Sequence, residues 1–106
     1  MRCLCAVVVL LTLACGKQSD AEKLEKSIVS WKATLQIVAS ARLKNEVRKG
    51  FTLKTTEEAV DDLERQSAKV SSKPAEHLIA IAAKLREAVE RDDARAIAAA
   101  RDELTR

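Results

Sequence analysis

The chain has 106 residues, with 19 Lys and Arg against 16 Asp and Glu and a formal charge of +3. That balance gives no reason to expect nucleic acid or a strongly acidic partner, and the length allows one small domain. Its three cysteines, Cys3, Cys5 and Cys15, all fall in the first fifteen residues, so the remainder holds no pair for a disulfide or a cysteine metal site.

The first stretch, Met1 to Cys15, reads MRCLCAVVVLLTLAC. A positive residue, Arg2, precedes the uncharged apolar run Leu4 to Ala14 and a small residue at its end, the pattern of an export signal. With Cys15 directly after Ala14, the stretch resembles the lipobox of bacterial lipoproteins, with Thr12 where Leu is usual. The resemblance implies cleavage after Ala14, a diacylglyceryl group on the Cys15 thiol and a fatty acyl (palmitate-type) group on the new N-terminus. It also implies a place in the bacterial cell envelope. Gly16 in place of Asp implies the periplasmic side of the outer membrane where two membranes exist. Membrane lipid, engaged through acylated Cys15, is then the first expected partner. Two acyl chains anchor a protein stably, at ~0.8 kcal/mol per buried methylene.

Two other readings of this stretch stay open. An ordinary signal cut near Ala14 would release a soluble exported domain. An uncut anchor would have to span the membrane with fewer than the ~20 apolar residues a spanning helix needs.

The expected organisation is a signal peptide over 1–14, lipidated Cys and tether over 15–20, and a helical domain over 21–106. As a flexible linker of ~5–6 Å × √n, the GKQSD tether holds that domain roughly 12 Å from its anchor. Ala, Leu, Lys, Arg and Glu, the strong helix formers, dominate the domain, with Gly only at 16 and 50 and Pro only at 74 in the whole chain. The domain is therefore predicted to be all-α, an antiparallel bundle of three or four helices.

The first helix is predicted from a cap at Ser19 or Asp20. Ala21, Leu24, Ile28, Trp31, Leu35 and Val38 form its apolar stripe, continued by Ala39, Leu43 and Val47. Gly50 is its expected stop. Phe51 to Lys54 then reads as a short extended connector. Thr55 with Glu58 reads as a capping box that opens a second helix from about Thr56 to Val70. Ser72 and Pro74 announce a third helix that buries Leu78, Ile81, Ala82, Leu85 and Val89. Asp92 and Asp93 suggest a turn into a fourth helix carrying Ile97, Ala100 and Leu104; one unbroken helix from Pro74 is the alternative.

Ser30, Trp31, Ala33, Thr34, Val47, Phe51, Thr55 and Ala59 together resemble a segment of uncharacterised small helical bacterial proteins with a Ser-Trp-x-Ala-Thr motif. Arg42 stands where these have a second Trp, and Arg48 where they have Pro. The resemblance covers about a third of the chain and implies a helical fold; no activity comes with it.

Chemistry finds little purchase in this composition. General acid–base catalysis needs a titrating group held near a partner. The only histidine, His77, sits beside Glu76 in a first helical turn. Asp61 with Asp62 and Asp92 with Asp93 read as a helix face and a cap. There is no Ser-x-x-Lys arrangement, no Gly-rich phosphate loop and no clustered metal-ligand set. The expectation is a non-enzymatic interaction or structural module, with no catalytic residue, cofactor, metal or nucleic acid, and with an envelope protein as a further partner. Trp31 is read as a core residue or as the wall of a groove for an apolar ligand or partner helix. Phe51, within the basic segment Arg42 to Lys54, is the second candidate contact, to a partner or to anionic lipid headgroups. The alternative function is a small apolar-ligand-binding helical protein.

Overall fold

The computed structural model describes residues 19–106. The expected signal peptide, Ala14, Cys15 and most of the tether lie outside the described residues. The described chain is all-α: α1 (Asp20–Leu43), α2 (Lys49–Ser67), α3 (Lys73–Glu90) and α4 (Ala94–Leu104). Each helix packs on its neighbours in sequence, and α4 closes the ring onto α1. This is an up-down-up-down bundle in which α1 also touches α3 across the diagonal while α2 and α4 do not meet.

Local chemistry sets most of the boundaries. Ser19 caps α1, its hydroxyl accepting from the Glu22 amide at 3.2 Å. Ser72 caps α3 through the Ala75 amide, with Pro74 in the first turn, where a missing N–H is harmless. Asp93 caps α4 through the Ala96 amide. The third and fourth helices are therefore separate, and the unbroken alternative is excluded.

The first boundary differs from expectation. Helix α1 ends at Leu43 because Asn45 takes a left-handed backbone (φ 57), which Asn tolerates better than most residues. The Asn45 amide then donates to Arg42 O (3.1 Å) and the Glu46 amide to Ala41 O (2.8 Å), the paired bonds of a Schellman motif. Asp92 (φ 53) builds the same motif at the end of α3, its amide donating to Val89 O and that of Asp93 to Ala88 O.

Gly50 is therefore not the stop of α1 but part of the first turn of α2. The expected extended connector at Phe51 to Lys54 is helical, and Thr55 opens no capping box. Threonine hydroxyls explain why. Those of Thr52, Thr55 and Thr56 donate to the carbonyls of Arg48, Phe51 and Leu53. Each satisfies itself within its own helix, so all three are buried. Helix α2 also ends earlier than expected, at Ser67, leaving Val70 half-buried in the turn before α3.

Six of the sixteen buried apolar residues are alanines, among them Ala39, Ala59 and Ala82. Leu35, Leu63, Leu85 and Leu104 fill the space the alanines leave. Ala21, expected on the stripe, is exposed in the first turn of α1.

The bundle has two distinct ends. One, here the proximal end, carries the start of α1 and the turn from α2 to α3. The distal end carries the α1–α2 and α3–α4 turns, and Asp92 joins them. Its carboxylate accepts from Lys49 (3.2 Å) and pairs with Arg42 (3.7 Å), while Lys49 also donates to Glu90 O (2.8 Å). At 1.5 Å per residue α3 is ~27 Å long and α4 only ~16 Å. Starting from the distal end, α4 stops beside the middle of α1, where Gln36 donates to Leu104 O at 2.6 Å.

Candidate functional site: the outer face of helices α1 and α2

Trp31 lies on the seam between α1 and α2. Its ring packs against the core, and its indole Nε1 donates to Asp62 Oδ2 at 2.8 Å. The amide of Gln66 donates to the same carboxylate oxygen at 3.0 Å and to Ser27 Oγ at 2.7 Å. A half-buried indole N–H generally needs such a partner. Gln66 Oε1 is left buried without a donor, which sets a cost against the bonds its amide nitrogen makes. Sequence reasoning missed Ser27, Asp62 and Gln66. Only the antiparallel register, Ser27 against Gln66 and Trp31 against Asp62, reveals the set.

That register also locates Phe51. It precedes Asp62 by three turns, within ~20° of it on the helical wheel, and so lies on the α1 side of α2, opposite Arg42. The structure thus puts Trp31 and Phe51 on one seam but at different depths: Trp31 is half-buried, whereas Phe51 is 55 % exposed. Arg42, at the position of the usual second Trp, donates to Val47 O and pairs with Asp92.

The three exposed large apolar residues of the described chain are Val29 (67 %), Ile37 (69 %) and Phe51. Val29, Ala33 and Ile37 recur every four residues, and each step turns the row ~40°, carrying it from the α4 side of α1 at Val29, close to Gln36 on the wheel, across the outer side toward α2. From Ser27 to Ala41 the only charged residue is Lys32. The outer surface of α1 is thus apolar and small-residued where a solvated helix would carry charge.

Cations flank this band. At the proximal end Lys23, Lys26 and Lys69 line a hollow of about 340 Å³ with Asp20, Ser27 and Gln66. None of the three lysines makes an ion pair among the described residues. At the distal end Lys44, Arg48 and Lys54 are exposed around Phe51.

Elsewhere the surface has another character. A groove of about 530 Å³ between α2 and α3 is acidic, lined by Glu57, Asp61, Glu87 and Glu90, with Arg86 paired to Glu57 and Glu90. A cleft of about 430 Å³ opens at the proximal end where α4 falls short, lined by Leu24, Ile28, Val29, Val70 and Pro74. Exposed His77 lines a smaller hollow of about 170 Å³ beside the end of α4. Among the described residues no three His, Cys, Asp or Glu side chains gather as a metal site would need, and no helix is long and apolar enough to cross a membrane.

No protein-family model matches the chain, and neither a curated protein nor a solved structure shows significant similarity to it.

Proposed function

We propose that the chain is a lipid-anchored module of the bacterial envelope. It is exported by its first fourteen residues, acylated at Cys15, and acts without enzymatic chemistry through contacts of its helical surface. One juxtaposition carries this reading: the lipobox-like stretch ending at Cys15 lies four residues before Ser19, which caps the bundle's first helix. An anchor there needs nothing from the packed domain, since two acyl chains suffice. The exposed apolar and basic surface on α1 and α2 is the part of the domain best suited to meet an envelope partner.

A second reading, a soluble exported carrier of small apolar molecules, draws on the proximal cleft of about 430 Å³. That cleft is lined by Leu24, Ile28, Val70 and their neighbours, not by Trp31.

Intact mass of the membrane-extracted protein decides between them. The anchored form has a wild type cleaved before Cys15 with the mass of its lipids, and a Cys15→Ser variant that keeps its leader. An unlipidated species in the soluble fraction would sink the anchor and make ligand carriage the leading reading.

A further inference from the structure

We infer that the bundle lies along an anionic phospholipid surface on its α1–α2 face, with Ile37 and Phe51 entering the headgroup boundary. The inference rests on the anchored reading above and adds the orientation and the lipid class to it.

Three observations converge. The first is the apolar band itself. Ile37 and Phe51 turn to the α1–α2 side of the molecule, whereas Val29 faces the cleft that α4 leaves open; two neighbouring large apolar residues exposed on one face are more than the scatter of single ones. A helix with apolar residues outward and Lys or Arg beside them is the form that settles into a membrane interface.

The second is charge. Exposed Lys23, Lys26 and Lys69 stand at one end of the band, and Lys44, Arg48 and Lys54 at the other. Asp20 lines the proximal hollow, Glu22 and Glu25 flank Val29, exposed Glu46 lies between Lys44 and Arg48 in the chain, and Glu58 shares the Phe51 side of α2. The cations outnumber these carboxylates, whereas the α2–α3 groove is lined mainly by acids. An anionic surface therefore attracts the first face and repels the second.

The third is reach. Ser19 follows Cys15 by only four positions, a span of at most ~14 Å. An upright bundle would carry Phe51 the length of α1, ~36 Å, away from the anchored end. Lying down is the posture that brings the basic groups of both ends, and the band between them, to one plane.

The test uses the full lipidated chain. Cys3 and Cys5 leave with the signal and Cys15 carries lipid, so an introduced cysteine is the one free thiol. Bimane is attached at Ile37→Cys or Phe51→Cys, and at exposed controls Ala83→Cys on α3 and Ala99→Cys on α4. The proteins are reconstituted into phosphatidylethanolamine vesicles containing phosphatidylglycerol, or into phosphatidylcholine vesicles, with doxyl lipids as quenchers. The expected result is quenching several-fold stronger at the two face positions than at the controls, in phosphatidylglycerol vesicles, weakening with salt and in phosphatidylcholine.

Equal quenching at all four positions overturns the inference. So does quenching confined to a Ser71→Cys label at the proximal end, the mark of an upright bundle. Face labels shielded equally in both vesicle types and in detergent, and increasingly with protein concentration, would assign the face to a second copy of the chain and also overturn it. Intact mass of the same samples separates the two readings: lipid present with unquenched face labels defeats the docking alone. Lipid absent defeats the anchor, and quenching of the unlipidated protein on the same vesicles then decides the docking by the same criterion.

Discussion

The two hairpins of this bundle are built on different terms. In α3 and α4 no large apolar residue is exposed, each helix opens on a side-chain cap, and Leu78, Ile81, Leu85, Val89, Ile97 and Leu104 are all buried. In α1 and α2 apolar residues also appear on the outside, polar groups enter the interior, and α2 starts at Arg48 without a side-chain cap. Buried Thr52 and Thr56 and the Trp31–Asp62–Gln66–Ser27 seam do there what leucines do in the other hairpin. The difference teaches that the second hairpin is spent on stability. The first leaves large apolar side chains in solvent.

Substitutions can break this contrast or sharpen it. The largest effect belongs to the apolar hairpin: Leu85→Ala is expected to cost about 2–5 kcal/mol through lost burial and the cavity left behind, measured by urea unfolding. On the polar seam, Asp62→Ala strands the Trp31 indole N–H and one bond of Gln66, and should cost about 1–3 kcal/mol. Its signature is a shift in Trp31 emission in the folded state, which Leu85→Ala should leave smaller. If Asp62→Ala proves neutral, the seam is incidental and the contrast fails. The smallest effect has the opposite sign. A Cβ on Gly50 would meet nothing within 4 Å, and the residue has no positive φ. Gly50→Ala should therefore stabilise by about 0.5 kcal/mol by narrowing the unfolded ensemble, seen as a raised Tm.

Legibility in the sequence divides along the same line. Ser72, Pro74 and Asp93 are local signals that act on their own neighbours, so the second hairpin reads correctly from its letters. The end of α1 does not, because the strongest breaker nearby, Gly50, is not the residue that turns the chain. Asn45 does so through a left-handed backbone, a role Gly usually fills. Threonines at 52, 55 and 56 suggest a cap or an extended piece until their back-bonds to the preceding turn are known. The site was half legible. Trp31 and Phe51 stand out as the only rings, but the partners of Trp31 depend on helix register, which periodicity does not supply. The exposure of Val29 and Ile37 depends on which side of α1 the other helices leave uncovered.

The shortness of α4 has a mechanical consequence. With α4 ending beside Gln36, the first turns of α1 hold one buried side chain, Leu24, before Leu35. Little burial means a low free energy of local opening. Amide hydrogens from Lys23 to Ser30 should therefore exchange by fraying, while those beyond Leu35 wait for the whole bundle to unfold. The segment next to Cys15 thus acts as a compliant joint at one end of a stiff rod. Strain applied at that end reaches the Ser27–Gln66 bond, inside the joint, before the Trp31–Asp62 bond.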